Sequence, residues 1–349
     1  MAIRWSRELM RNTLQTLHGE NMPVAEFLKQ QDSVLGAICF VSDECQMQAD
    51  SLCMPVPMQS LDSTDTLCEV WRGSGQITQG QYGDIRYRHD DSVLFGVITL
   101  TENRFSATPD KSPLQQVAES AYRQVFELAG KLRYPYLLRF WNYIADINGS
   151  SFGMERYHQF NIGRQDAFLA HGRDVLGNAP AACALGLIDA PLSIAFLAGR
   201  AAPLSIENPR QISACQYPQQ YGPRSPIFSR ASLVRLGQSE VLFISGTASI
   251  VGHATLHHND VVAQTRETMT NIKLVLAEAN RQATGKLDLA DLTYRVYVRH
   301  PADLTLIRAE IERCVGGKLK AVYLQADVCR RDLLLEIEAM HSSVSAMVE

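Results

Sequence analysis

Apolar positions along this chain switch repeatedly between a period of two and a helical period. That switching predicts an α/β protein built of strands and helices in alternation. Residues 85–88 and 93–100 read as paired strands. Residues 114–132 carry Val117, Ala121, Val125 and Leu128 at helical spacing. A β-prone run follows at 136–144 (YLLRFWNYI), then a second helix at 155–171. Strands at 182–188 and 192–197 flank Asp189-Ala190-Pro191 and read as a hairpin. The pattern resumes with a strand at 241–246 and a helix at 260–280, with Asn259 as its expected N-cap. The inward stripe of that helix is Val261, Thr265, Met269, Ile272, Leu276 and Ala279. A strand at 292–299 and a helix from Pro301 to Gly316-Gly317 come next, then strands at 320–325 and 333–340. The order β, α, β, α, β, β in the second half loosely repeats the first, which predicts two similar α/β lobes side by side.

Residues 1 to about 85 show no sustained period and read as irregular. Gly73, Gly75 and Gly80 lack the spacing of a dinucleotide fingerprint and read as a loop. At 349 residues the chain is long enough for two domains. We place their boundary at 200/201, giving an N-terminal lobe (1–200) with an irregular extension and a C-terminal lobe (201–349). A net charge of −4 argues against nucleic acid or an anionic membrane as partner. An anionic small substrate would need a local arginine cluster. Eight cysteines occur without a CxxC pair, so no zinc site is predicted, and reduced thiols in a cytoplasmic protein are expected. The first ten residues lack the apolar core of a signal peptide. The longest apolar stretch, 181–199, is broken by Asp189 and Pro191 and is too short to span a bilayer.

Residues 200–230 are dense in Pro, Tyr, Arg and Gln, which excludes a regular helix or central strand. A floppy linker would be rich in Gly and Ser and poor in aromatics. An ordered segment lining a site is therefore expected. In the last strand, period two puts Leu333, Leu335, Ile337 and Ala339 on one face and Leu334, Glu336, Glu338 and Met340 on the other. If the second face closes over a cleft, burial keeps a carboxyl protonated and makes it a general acid. If it does not, the two glutamates are solvated or paired with arginines. His253, His257, His258 and Asp260 lie in a loop without a completing ligand set, so no metal is expected. Cys329 is either a nucleophile or a packing residue. Arg210, Arg224, Arg230 and Arg299 are candidate anion binders, because a guanidinium suits a carboxylate better than an ammonium does.

The blocks FISGTASIVGH, QTRETMTNIKLVLAEA, YRVYVRHPADL and LLLEIEA resemble the RidA/YjgF superfamily in order and spacing. The resemblance implies two RidA-like lobes, each a mixed β-sheet backed by helices, with Glu336 at the family's active-site glutamate. Ala321 stands where that superfamily has a carboxylate-binding arginine, which speaks against imine deamination. The longer blocks RFWNYIADIN, ERYHQFNIGRQDAF, ENPRQ, YPQQYGPRSPIFSRA and CRRDLLLEIEAM resemble the chorismatases. That resemblance implies removal of pyruvate from chorismate without metal or organic cofactor, by a protonated Glu336 acting on the enolpyruvyl methylene. Tyr221, Arg224, Arg230 and Arg299 would hold the two carboxylates, with Tyr217, Cys215 and Gly246 also in the pocket. A Cys seven residues before the Glu, here Cys329, resembles the members forming 3-hydroxybenzoate, some of which also give 4-hydroxybenzoate. Hydrolytic members yield a dihydroxy-cyclohexadiene carboxylate instead. A non-catalytic RidA-like binder of small carboxylates is the reading from another class, and monomer and trimer are both open.

Overall fold

Among the described residues, three β-sheets converge on one apolar interior, and four helices cover the outer faces of two of them. This is seen in a computed structural model that describes residues 11–17, 33–41, 53–62, 66–173, 179–236, 239–317 and 319–344. The first ten residues, read above for a signal peptide, and Cys45 lie outside the described residues.

The first sheet corrects the expectation of an irregular N-terminal region. It comprises β1 (Arg11–Leu17), β2 (Val34–Val41), β3 (Cys53–Pro57) and β4 (Thr66–Arg72), in the order β1-β4-β2-β3. Alternation is hidden in β2 because the whole strand is buried. Gly36 within it is needed because a side chain there would run into the Phe95 ring. Cys39 and Cys68 face each other across β2 and β4 and form a disulfide, so the expectation of thiols throughout fails for this pair.

The second sheet gathers β5 (Thr78–Tyr82), β6 (Ile85–His89), β7 (Val93–Leu100), β8 (Tyr136–Ala145), β11 (Ala181–Leu187) and β12 (Leu192–Gly199). The two-residue strands β9 (Ser150–Ser151) and β10 (Met154–Glu155) form a small hairpin beside it. Helices α1 (Pro113–Lys131) and α2 (Arg156–Ala170) pack on its outer face. The predicted hairpin at 182–197 does not form. Instead β11 and β12 flank β8 on opposite sides, β11 parallel to it and β12 antiparallel. Helix α2 makes the crossover that a parallel β8–β11 pair requires.

The third sheet has the order β13-β14-β15-β21-β18-β19. Its strands are β13 (Leu204–Ile206), β14 (Ala231–Leu236), β15 (Ser239–Thr247), β18 (Thr293–Val298), β19 (Lys320–Gln325) and β21 (Leu335–Val344). Between β15 and β18 a short pair, β16 (Ile250–Val251) and β17 (Ala254–Thr255), precedes helix α3 (Val261–Ala279). The expected stripe of α3 is buried against the sheet. Its N-cap is Asp260, whose carboxylate accepts from the Ala263 amide at 2.9 Å, rather than Asn259. Asn259 has a left-handed φ of 58°, which turns the chain into the helix. Helix α4 (Leu304–Val315) ends at Gly316, in left-handed conformation as a C-terminal stop requires.

The two larger sheets are stitched together. Strand β20 (Asp327–Val328), from the second half of the chain, pairs with β11 from the first. The Ala182 amide donates to Ser245 Oγ at 2.9 Å, and that hydroxyl donates to the Ser229 carbonyl at 2.6 Å. No described helix is long and apolar enough to cross a membrane.

Candidate active site

Strand β21 turns the predicted alternation into two environments. Leu335, Ile337 and Ala339 join the core under α3 and α4, while Glu336 and Glu338 face the interior between the sheets. Both glutamates are buried, at 4% and 5% exposure, so neither is solvated.

Their partners differ. Glu338 is surrounded by donors: Trp141 Nε1 at 3.1 Å, Arg295 Nη1 at 3.0 Å, the Tyr297 hydroxyl and the Arg139 guanidinium. Glu336 Oε1 is buried with no hydrogen-bond partner among the described residues. Burial raises the Glu336 carboxyl from the ordinary carboxylate range to about 8, opposed only in part by the charge on Arg139. Near neutral pH Glu336 is therefore mostly the uncharged acid.

A β-bulge makes room for it. The β15–β21 register slips between Ile244 and Thr247, so Ser245 and Gly246 leave the ladder. Gly246 lies against the acid: a Cβ there would collide with Glu336 Oε1 and come within 3.2 Å of Cys183 Cβ. Only a residue without a side chain leaves the carboxyl where it is.

Glu336 opens into a cavity of about 310 Å³. Cys329 and Cys183 share its wall, and burial pushes both thiols up to about 12. They are neutral there, which argues against a thiolate nucleophile. Tyr157 of α2 also lines the wall, its hydroxyl held protonated by burial. The segment at 200–230 is ordered and supplies Gln211, Tyr217, Gln220, Tyr221, Pro226, Phe228 and Arg230 to the same cavity.

Three lining arginines each retain an uncommitted donor. Arg230 donates to the Ile212 carbonyl at 2.7 Å and the Tyr217 hydroxyl at 3.0 Å, and its Nε lies 3.9 Å from Glu207 without a hydrogen bond. Arg330 lies 3.9 Å over the Tyr221 ring and donates to the His253 carbonyl at 2.8 Å, leaving one terminal nitrogen without a partner. Arg164 donates to Asn161 at 2.7 Å and keeps a buried, unpaired Nε. A cavity that holds a neutral acid and several guanidinium groups suits a small molecule with more than one carboxylate.

Of the residues singled out from sequence, Glu336, Cys329, Gly246, Tyr217, Tyr221 and Arg230 meet in this cavity. Three do not. Arg224 is exposed, on the outer side of its loop. Cys215 is outside the lining, with its sulfur 3.1 Å from the Ser213 hydroxyl. Arg299 is a structural clamp: it binds the carbonyls of Leu333 at 2.7 Å, Arg330 at 2.9 Å and Val328 at 3.1 Å, with Asn148 and Asp327 taking its remaining donors. It shapes the segment carrying Cys329 and has no nitrogen left for a ligand. Residues missed include Arg330, Arg331, Arg164, Tyr157, His158 and Glu155. Arg330 and Arg331 stand beside Cys329 in CRRD, and Arg164 interrupts the buried face of α2, so each left a trace in the sequence. His257 and His258 pair with Glu267 and Asp332 at 3.8 and 3.5 Å, and His253 meets the Tyr221 hydroxyl at 3.2 Å.

A chorismatase of Streptomyces rapamycinicus is 35% identical over 285 residues, spanning 79% of this chain and 82% of the relative. The chain belongs to the chorismatase family. The description "Chorismatase FkbO/Hyg5-like, N-terminal" matches residues 69–198. A protein of Streptomyces hygroscopicus named 3-hydroxybenzoate synthase is 35% identical over 288 residues, spanning 80% of this chain and 82% of its own. A chorismatase crystal structure superposes with a TM-score of 0.84 at 30% identity, covering 97% of this chain and 99% of the other. The chorismatase fold thus includes the sheets and helices described above.

In this chorismatase-family chain, Arg299→Ala should act on stability. It strips hydrogen bonds from three partly buried carbonyls, at a cost of about 3 kcal/mol. A thermal melt should show a clear fall in Tm; an unchanged Tm with weakened ligand binding would restore Arg299 as a binding residue.

Proposed function

We propose that this chain converts chorismate to 3-hydroxybenzoate and pyruvate, with Glu336 as the proton donor. The observation that carries the reading is a buried, uncharged carboxyl whose Oε1 is unclaimed, opening into a cavity lined by arginines. The naming of a relative as a 3-hydroxybenzoate synthase supports the choice of product.

The chemistry follows from the substrate. Chorismate is a dicarboxylate whose enolpyruvyl group is an enol ether. Protonating the methylene carbon creates an oxocarbenium ion and makes pyruvate a leaving group. The neighbouring ring hydroxyl attacks the ring carbon that bears the ether as pyruvate leaves, giving up its own proton and forming an epoxide. Protonation of the epoxide oxygen and cleavage of its original C–O bond leave the oxygen at the 3-position, and loss of the C–H proton at that carbon aromatises the ring. Two protons are given and two are released, so a Glu336 that donates each and takes each back is regenerated. 3-Hydroxybenzoate and pyruvate together contain the atoms of chorismate and nothing more, so no water is consumed. Acid–base chemistry of this kind needs neither metal nor organic cofactor. Arg230, Arg330 and Arg164 bind the carboxylates, and Tyr217 and Tyr221 orient the arginines through stacking. The proposal extends to a cytoplasmic protein, monomeric or trimeric, without nucleic-acid or membrane partners.

Purified protein given chorismate should release pyruvate and an aromatic product with the retention time and absorbance of 3-hydroxybenzoate. Glu336→Gln should lower kcat by about a thousandfold or more while the fold persists. Near-normal turnover would remove Glu336 from the role. The acid works protonated, so kcat should be level below about pH 8 and fall as pH rises through it. Stability follows the same sign. The folded state holds this proton above the unfolded carboxyl value of 4.5, so stability present at acid pH is lost between there and about 8, and Glu336→Gln should flatten that loss.

Cys329 we assign to excluding water from the cation. Cys329→Ala should divert product towards the dihydroxy-cyclohexadiene carboxylate, read by chromatography of the products. An unchanged ratio would defeat this steric account.

A further inference from the structure

Arg139 is buried at 2% exposure on β8, close enough for its charge to act on Glu336. Yet its salt bridge goes to Glu338, two residues further along the same face. Its other contacts are the Ile244 carbonyl at 3.4 Å and the Trp141 ring at 5.2 Å. We propose that Glu338 is a positioning residue for the acid: by holding Arg139 it keeps that guanidinium off Glu336, which stays uncharged. The proposal rests on Glu336 being the proton donor.

The charges around Glu338 support it. Glu338 and Glu69 face Arg139 and Arg295, with Arg295 bridging both carboxylates. These four buried groups balance without Glu336. A fifth charge, on Glu336, would leave this cluster with a net negative charge. Removing the charge on Glu338 reverses this. Two guanidinium groups then face one carboxylate, so the cluster gains a net positive charge. The carboxyl left within reach of Arg139 is Glu336, about 7 Å along the strand. Either a swing of Arg139 or its field alone would then ionise Glu336.

The other groups around Glu336 do not substitute for this pair. Cys183 on β11, Cys329 in the 328–333 segment, Tyr157 on α2 and Tyr297, its cross-strand partner on β18, are all held neutral by burial. Arg164, Arg230, Arg330, Arg331, Glu155, His158 and Asp332 line the same cavity, but the charge that pulls on Glu336 is that of Arg139. Glu338 thus touches no substrate and acts through a second residue.

The test is the pH dependence of kcat in three variants. In Glu338→Gln the alkaline fall should move down by one to two units, giving a loss of about twofold to tenfold at pH 7 and little loss near pH 5. Arg139→Gln should move the fall upward, because the charge that favours ionised Glu336 is gone. The double variant Glu338→Gln/Arg139→Gln should bring the fall back to the wild-type position or above it. A loss in Glu338→Gln that is equal at every pH, or no loss at all, overturns the proposal. If that variant does not fold, Arg139→Gln alone decides, and an unmoved alkaline fall overturns it. An active Glu336→Gln would instead sink the underlying reading of the acid.

Discussion

The cost of ionising a carboxyl away from water governs this site. Glu336 faces an interior enclosed by sheets, where its Oε1 meets no hydrogen-bond partner among the described residues. Desolvation penalises only the charged form, so the group keeps its proton at a pH where an exposed glutamate has lost it. Glu338 bears the same burial two residues away and reaches the opposite outcome, because two guanidinium groups, an indole and a phenol surround it. One strand thus holds an acid and an anion side by side. What separates them is the placement of Arg139 and Arg295, which come from two different sheets.

Much of the rest serves that separation. The bulge in β15 and the absence of a side chain at Gly246 leave space for the carboxyl. The Arg299 clamp fixes the turn that brings Cys329 and Arg330 to the cavity. Membership of the chorismatase family defines the fold and the class of reaction.

The sequence shows most clearly what periodicity controls. Strand β21 has an apolar face under the helices and a face carrying two glutamates, and an alternation of that kind can be read without a structure. The stripe of α3 and the aromatic density of the 200–230 segment are legible for the same reason. Features set by distant partners are not. Burial on both faces erases the alternation in β2, and Gly36 and Cys39 disguise it further. The pairing of β11 with β8 depends on a crossover through α2, so the short turn before β12 misleads towards a hairpin. Arg299 and Arg230 look alike in a sequence. One is consumed by backbone carbonyls and the other faces a cavity, and only the packing around each tells them apart.

The central claim is that Glu336 is a protonated acid in the folded protein near neutral pH. Infrared difference spectroscopy against Glu336→Gln tests it without relying on turnover. The account predicts a carboxylic-acid carbonyl band at pH 6 that is absent from the variant and is replaced by carboxylate bands as pH passes about 8. A spectrum in which Glu336 is already a carboxylate at pH 6 would contradict it.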